Sequence, residues 1–238
     1  MSVPMKYLIF LSILIASSLS SSFAFANPCE DTRQLKSLWE TKYIKLVQNP
    51  EALGNGFDRS SMAFKLANAI CILEYPGLHK YDGIYYRYYT AMIKTLIINL
   101  DSSRVTSGTL ASTSSLGVIE IHREFFNYER PDMPFAGTST ILHEARHVEL
   151  ALNNKPNYHV KCTKGILKES NIKACDAEFA ARWEIASPRS YEVMFLSKLY
   201  EESVYYTTNQ AIKASINNTL ENYINDVPIE IYQYFYKR

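Results

Sequence analysis

Two histidines four residues apart, with a glutamate directly after the first, are the residues of this 238-residue chain whose types and spacing could do chemistry: His143-Glu144-Ala145-Arg146-His147. On a helix the i, i+4 spacing stacks both imidazoles on one face, about 6 Å apart, where they can share one tetrahedral metal ion. Glu144 falls roughly 100° round the helix from His143, outside the ligand pair yet within reach of a water beside such an ion. The combination is a general base next to a Lewis acid.

The flanks predict a helix here. Gly137-Thr138-Ser139-Thr140 offers capping hydroxyls, and Ile141, Leu142, Ala145, Val148, Leu150, Ala151 and Leu152 give an apolar body that Asn153-Asn154-Lys155-Pro156-Asn157 stops. A helix so apolar is buried on most sides. Titratable residues inside it are costly unless paired, and a divalent cation suits two histidines and a glutamate.

The pentapeptide on a helix resembles the defining motif of the zincin metallopeptidases, closely over residues 137 to 152 and more loosely to about 185. The resemblance implies zinc as cofactor, His143 and His147 as metal ligands, Glu144 as the catalytic residue that activates water, and a peptide or protein as substrate. It also implies a strand just before the active helix at the upper edge of the cleft, Val118 to His122 here, onto which an extended peptide adds. A strand that merely covers the core reads equally well. His122 could face that cleft, but a lone histidine on a strand reads as solvated and is left out of the site.

Catalytic zinc takes three protein ligands and keeps one position open. The third is His159 by preference, twelve residues after His147 in the loop that follows the helix, with Asp176 and Glu178 as alternatives. A loop histidine in that place resembles the metzincins, although their spacing is tighter and includes a glycine absent here. The two acids open the run Cys175-Asp176-Ala177-Glu178-Phe179-Ala180-Ala181, which predicts the start of a helix and resembles the glutamate-bearing helix of other zincins. As N-terminal residues of that helix they would also be favoured by its dipole alone.

The N-terminus predicts export. Lys6, an apolar run from Tyr7 to Leu19 and the ending Ala24-Phe25-Ala26 describe a secretory signal peptide over residues 1–26, too short and too weakly flanked for a retained membrane anchor. Its removal leaves residues 27–238, 212 of the 238, enough for one domain with its own core. The chain has 25 basic and 24 acidic side chains, and losing Lys6 takes the net charge from +1 to zero. Neither nucleic acid nor an anionic membrane surface is suggested as a partner. Four cysteines in an exported chain predict two disulfides, paired as Cys29–Cys71 and Cys162–Cys175 among three possible arrangements.

Apolar periodicity predicts helices from Cys29 to Gln48, from an Asp58 or Ser60 cap to Leu73, and from Tyr81 through Ile98, with more helix after Pro188 and a terminal strand over residues 229–236. The tyrosines of the third helix, from Tyr81 to Tyr89, read as packing residues with hydroxyls at the rim. Gly117 to Phe125 alternates as a strand, and Val105 to Leu110 could be its hairpin partner. The fold expected is mainly α with a small antiparallel β-sheet, a zincin-like single domain stapled by two disulfides. The function expected is a secreted or periplasmic zinc metallopeptidase. The opposing reading is a non-catalytic exported helical protein that binds a partner through its tyrosine-rich surface, its metal structural or absent.

Overall fold

The computed structural model describes residues 28–78, 83–101, 109–114, 116–128, 135–155, 157–160, 175–176, 188–202 and 214. The expected signal peptide, Cys162 and its expected bridge to Cys175, Glu178, residues 105–108 and the terminal strand lie outside the described residues. The described part is mostly helical, with a three-stranded sheet and a separate two-stranded ladder. No helix among these residues is long and apolar enough to cross a membrane.

Asp31 caps α1 (Thr32–Thr41), its carboxylate accepting from the backbone N–H groups of Arg33 and Gln34. The helix expected to reach Gln48 ends earlier, because the chain leaves helical geometry at Lys42 and continues as two 3-10 turns, Tyr43–Leu46 and Pro50–Leu53. Beyond the break, the Lys42 ammonium and the Tyr43 hydroxyl both reach the Glu74 carboxylate, at 2.5 and 2.9 Å. Glu74 closes α2 (Met62–Glu74), which Ser61 caps in place of the expected Asp58 or Ser60. Asp58 instead accepts from Ser60 and Ser61 in the preceding turn. Eight residues of α2 are buried, so the helix runs through the core, and Cys71 bridges to Cys29 with a Cα separation of 5.6 Å.

The third helix is shorter than the sequence pattern suggests. α3 (Ile84–Met92) stops at Ile93, and Thr95–Asn99 is a strand, β1, with burial alternating along it. A short, mostly apolar run has no period that separates helix from strand, and here the β-branched residues Thr95, Ile97 and Ile98 fit the pleat. Tyr85 and Tyr89 pack inward.

β1 pairs in parallel with β3 (Val118–His122), and β2 (Ala111–Ser114) pairs antiparallel on the other side of β3, in the order β1-β3-β2. The sheet is therefore mixed rather than antiparallel, and the described partner of β3 is Ala111–Ser114, with Leu110 O, the end of the expected stretch, accepting from His122 N at 3.0 Å. β3 is central, which corrects its expected place at the edge. The outer edge of β1 is covered: the Asn49 side chain donates to Ile98 O and accepts from Ile98 N, and Gln48 N donates to Leu96 O. Among the described residues the uncovered edge is β2.

Gly117 sets the parallel register. Its carbonyl accepts from Lys94 N at 2.8 Å, its φ of +77° lies in the left-handed region, and a Cβ built there would meet Met92 O at 2.6 Å. After β3 come α4 (Arg123–Tyr128) and α5 (Phe135–Leu152), whose 18 residues are buried on almost every side. Phe135 starts α5 one turn earlier than expected, which puts Thr138, Ser139 and Thr140 inside the helix instead of at its cap. Their hydroxyls turn to backbone carbonyls, Thr138 to Ala69 on α2 and the other two to Ala136. Asn154, at φ 54°, ends α5, and Lys155 N closes back on Leu150 O at 2.8 Å. The chain turns into β4 (His159–Val160), which pairs antiparallel with β5 (Cys175–Asp176). Cys175 and Asp176 are thus strand, not the expected helix start. α6 (Pro188–Glu202) then packs against α5, with Val193, Phe195, Leu196 and Leu199 fully buried.

Gly117→Ala should destabilise the chain by about 1–3 kcal/mol, through the left-handed φ and the clash with Met92 O. Urea unfolding followed by circular dichroism measures it, and an unchanged midpoint would mean that the turn is not held against β1.

Candidate metal centre

His143 and His147 stand one turn apart on α5, both 6 % exposed, with their Nε2 atoms 3.0 Å apart. The turn after Asn154 carries His159 back to them, and its Nε2 lies 3.2 Å from that of His147. One nitrogen from each of the three rings falls within a sphere of contacts no wider than 4.8 Å, an arrangement that could hold a metal ion. With metal–nitrogen bonds of about 2.0–2.1 Å, two ligands at the tetrahedral angle sit about 3.3 Å apart. The two short Nε2 separations match that figure.

The donor set also fits a cation on charge. Three imidazoles that turn the same nitrogen to one spot, with their protons on the far nitrogens, set lone pair against lone pair, and a dication satisfies all three at once. Two further carboxyl groups are buried alongside, Glu144 at 7 % exposure and Glu192 at 3 %. Two buried carboxylates are balanced in formal charge by one divalent ion, whereas each alone in the interior would be costly.

Glu144 follows His143 on α5, and its backbone carbonyl accepts from Thr113 Oγ1 on β2, at 3.5 Å. Burial pushes its carboxyl above the ordinary carboxylate range, and the neighbouring His143 and His159 work against that rise. Thr113 lies on the same face of the sheet as the buried Ala111, so β2 is the strand laid against α5 at the position of Glu144.

Glu192 escaped the sequence reading. It sits on α6, and its Oε2 is 3.2 Å from His143 Nδ1, the ring nitrogen facing away from the other histidines. No spacing rule links residue 192 to residue 143, and between Tyr191 and Val193 a glutamate reads as a solvated position. Arg146, the variable residue of the pentapeptide, also has a defined place. It pairs with Glu149 one turn on and lies 4.8 Å over the Tyr191 ring, while Tyr88 on α3 donates to the same Glu149 at 2.6 Å. Arg146 thereby ties α5 to both α3 and α6.

The structure brings His143, His147, Glu144 and His159 together. Asp176 is drawn in by its backbone, paired across the ladder with His159. His122 stands apart, on the sheet face opposite Ile121, with Nε2 2.9 Å from Ser112 Oγ. It is 4 % exposed, where a solvated ring was expected, and burial lowers its pKa while Glu120 opposes the shift. Tyr158, next to His159, is 62 % exposed.

His159→Ala should weaken zinc binding by more than the roughly 10–100-fold that losing an outer-shell partner costs, and Asp176→Asn and Glu178→Gln should leave it within a few-fold of the parent. Titration against a chromophoric chelator reads all three, and a larger loss in either acid variant than in His159→Ala would move the third ligand there.

Comparison of the chain with protein-family models, with curated proteins and with solved structures finds no match.

Proposed function

We propose that this protein is an exported zinc-dependent hydrolase of the zincin type, and a peptidase in the first instance. The single observation carrying the reading is the convergence of His143, His147 and His159 beside the buried carboxyl of Glu144. The three imidazoles are the proposed ligands. When bound, zinc supplies Lewis-acid polarisation of a carbonyl oxygen and acidifies water toward neutrality.

The chain's own residues supply the rest. Glu144 takes the proton of the attacking water and passes it to the departing amine. Burial prepares it for that exchange, since a carboxyl held above its ordinary pKa is a stronger base once ionised. The backbone of β2, the uncovered sheet edge against α5, offers an extended peptide a strand to pair with, and thus takes the role first given to Val118 to His122. The same water and base would serve an amide or ester that is not a peptide.

Export is supported from two directions. Residues 1–26 have the composition of a cleavable signal, and the Cys29–Cys71 bridge belongs to an oxidising compartment. The periplasm and the cell exterior both satisfy this.

Glu144→Gln keeps shape and burial while removing the base, so the purified variant should retain one zinc per chain and lose about 10²–10⁴-fold in cleavage of a mixed peptide library. His143→Ala should lose both metal and cleavage. Full activity in a zinc-loaded Glu144→Gln protein would refute the assigned base. A parent protein that takes up zinc but cleaves nothing would favour the non-catalytic binding protein.

A further inference from the structure

α6 presents an apolar stripe to α5. Phe195, Leu196 and Leu199 are fully buried, and Glu192 lies on the same stripe one turn before them. A carboxyl group at that position is out of keeping with its helix, and hydrophobic packing gives no reason for it. Its Oε2 meets His143 Nδ1 at 3.2 Å, with the two side chains 4 % and 7 % exposed. We infer that Glu192 is a positioning residue for the metal centre: it holds the Nδ1 proton of His143, fixing the tautomer that leaves Nε2 free to bind.

This role for Glu192 rests on the proposed metal reading and on two further observations. The first is direction. An imidazole has two nitrogens, and in His143 one is turned to the other histidines and one to Glu192, so the carboxylate acts through the ring rather than at the ion. Accepting the Nδ1 proton keeps the Nε2 lone pair available and makes it more basic.

The second is rigidity. Two residues flanking Glu192 on α6, Tyr191 and Phe195, make aromatic or cationic contacts to other helices. Tyr191 stacks beneath Arg146 at 4.8 Å and beside Tyr88 at 5.5 Å, and Phe195 meets the Tyr85 ring edge-on at 4.9 Å. The carboxylate is therefore held by packing, as an orienting group must be.

The test uses the full mature chain. Zinc affinity, by competition with a chromophoric chelator, is measured for the parent, Glu192→Gln and Glu192→Leu, beside the melting temperature of each apo-protein. The Gln amide oxygen still accepts the Nδ1 proton but carries no charge, so Glu192→Gln should lose about tenfold and Glu192→Leu about a hundredfold, at near-parent apo stability. A purely structural glutamate would instead shift melting and leave affinity in the folded fraction unchanged; that result overturns the inference. Should either variant fail to fold, nitrogen-15 spectra of the zinc-loaded parent decide it: His143 must carry its proton on Nδ1, and a proton on Nε2 overturns the assignment. Failure of the parent itself to bind zinc would sink the metal reading beneath this one, and is told apart by appearing before any substitution is made.

Discussion

The structure depends on one constraint: polar and titratable side chains have been placed inside a helix that is buried on nearly every side. α5 carries three hydroxyl residues, two histidines and a glutamate through the interior, and an unpaired polar group there is destabilising by a few kcal/mol. Thr138, Ser139 and Thr140 are satisfied by carbonyls of α2 and of α5 itself. His143 and His147 face each other, 3.0 Å apart, and the same turn of α5 meets groups brought from three other places, His159 from the following loop, Glu192 from α6 and Thr113 from β2, the last at the backbone carbonyl of Glu144.

What keeps them there is a second set of contacts on the flank of the same turn. Arg146 is the hub, with Glu149 as its ion partner, Tyr191 beneath it and Tyr88 linked through Glu149. Partial burial strengthens each of these relative to a surface pair. Burial and the neighbouring Glu149 drive the Tyr88 hydroxyl far above its usual pKa, so it remains a donor to that carboxylate at any physiological pH. The pentapeptide thus has two faces, one turned to the histidine cluster and one to helix packing, and the residue that a motif leaves free is fixed here by the fold.

The helix that bears the motif was legible in the sequence because its signal is local: two histidines at i, i+4 within an apolar body stopped by Asn153 and Asn154. His159 could be named as a candidate for the same reason, being within easy reach of the helix end. Glu192 was not legible, since its meaning comes from a pairing across 49 residues that no periodicity encodes. The strand Thr95–Asn99 is hidden in the sequence for a related reason. The run from Ala91 to Ile98 is apolar but for Lys94 and Thr95, and only pairing with β3 reveals that alternate residues are buried. The mixed character of the sheet follows from Gly117 docking against Met92 and Lys94, a contact between segments more than twenty residues apart that leaves no trace beyond the glycine.

The three histidines are not held alike, and the difference bears on how the centre forms. His143 and His147 ride on a helix with a complete hydrogen-bond ladder and a packed surface. His159 rides on a strand two residues long, paired with another of two residues, and so short a ladder contributes little stability alone. Under the proposed reading, two ligands are preorganised and the third is recruited, so the cation gains a ligand and the ladder gains an anchor in the same event. Cys175 and Asp176 share in that exchange through the backbone of the ladder. The ladder of β4 and β5 is then stabilised by the ion as much as the ion is held by His159, and hydrogen exchange in β4 and β5 must slow when the centre is filled while α5 stays as it was.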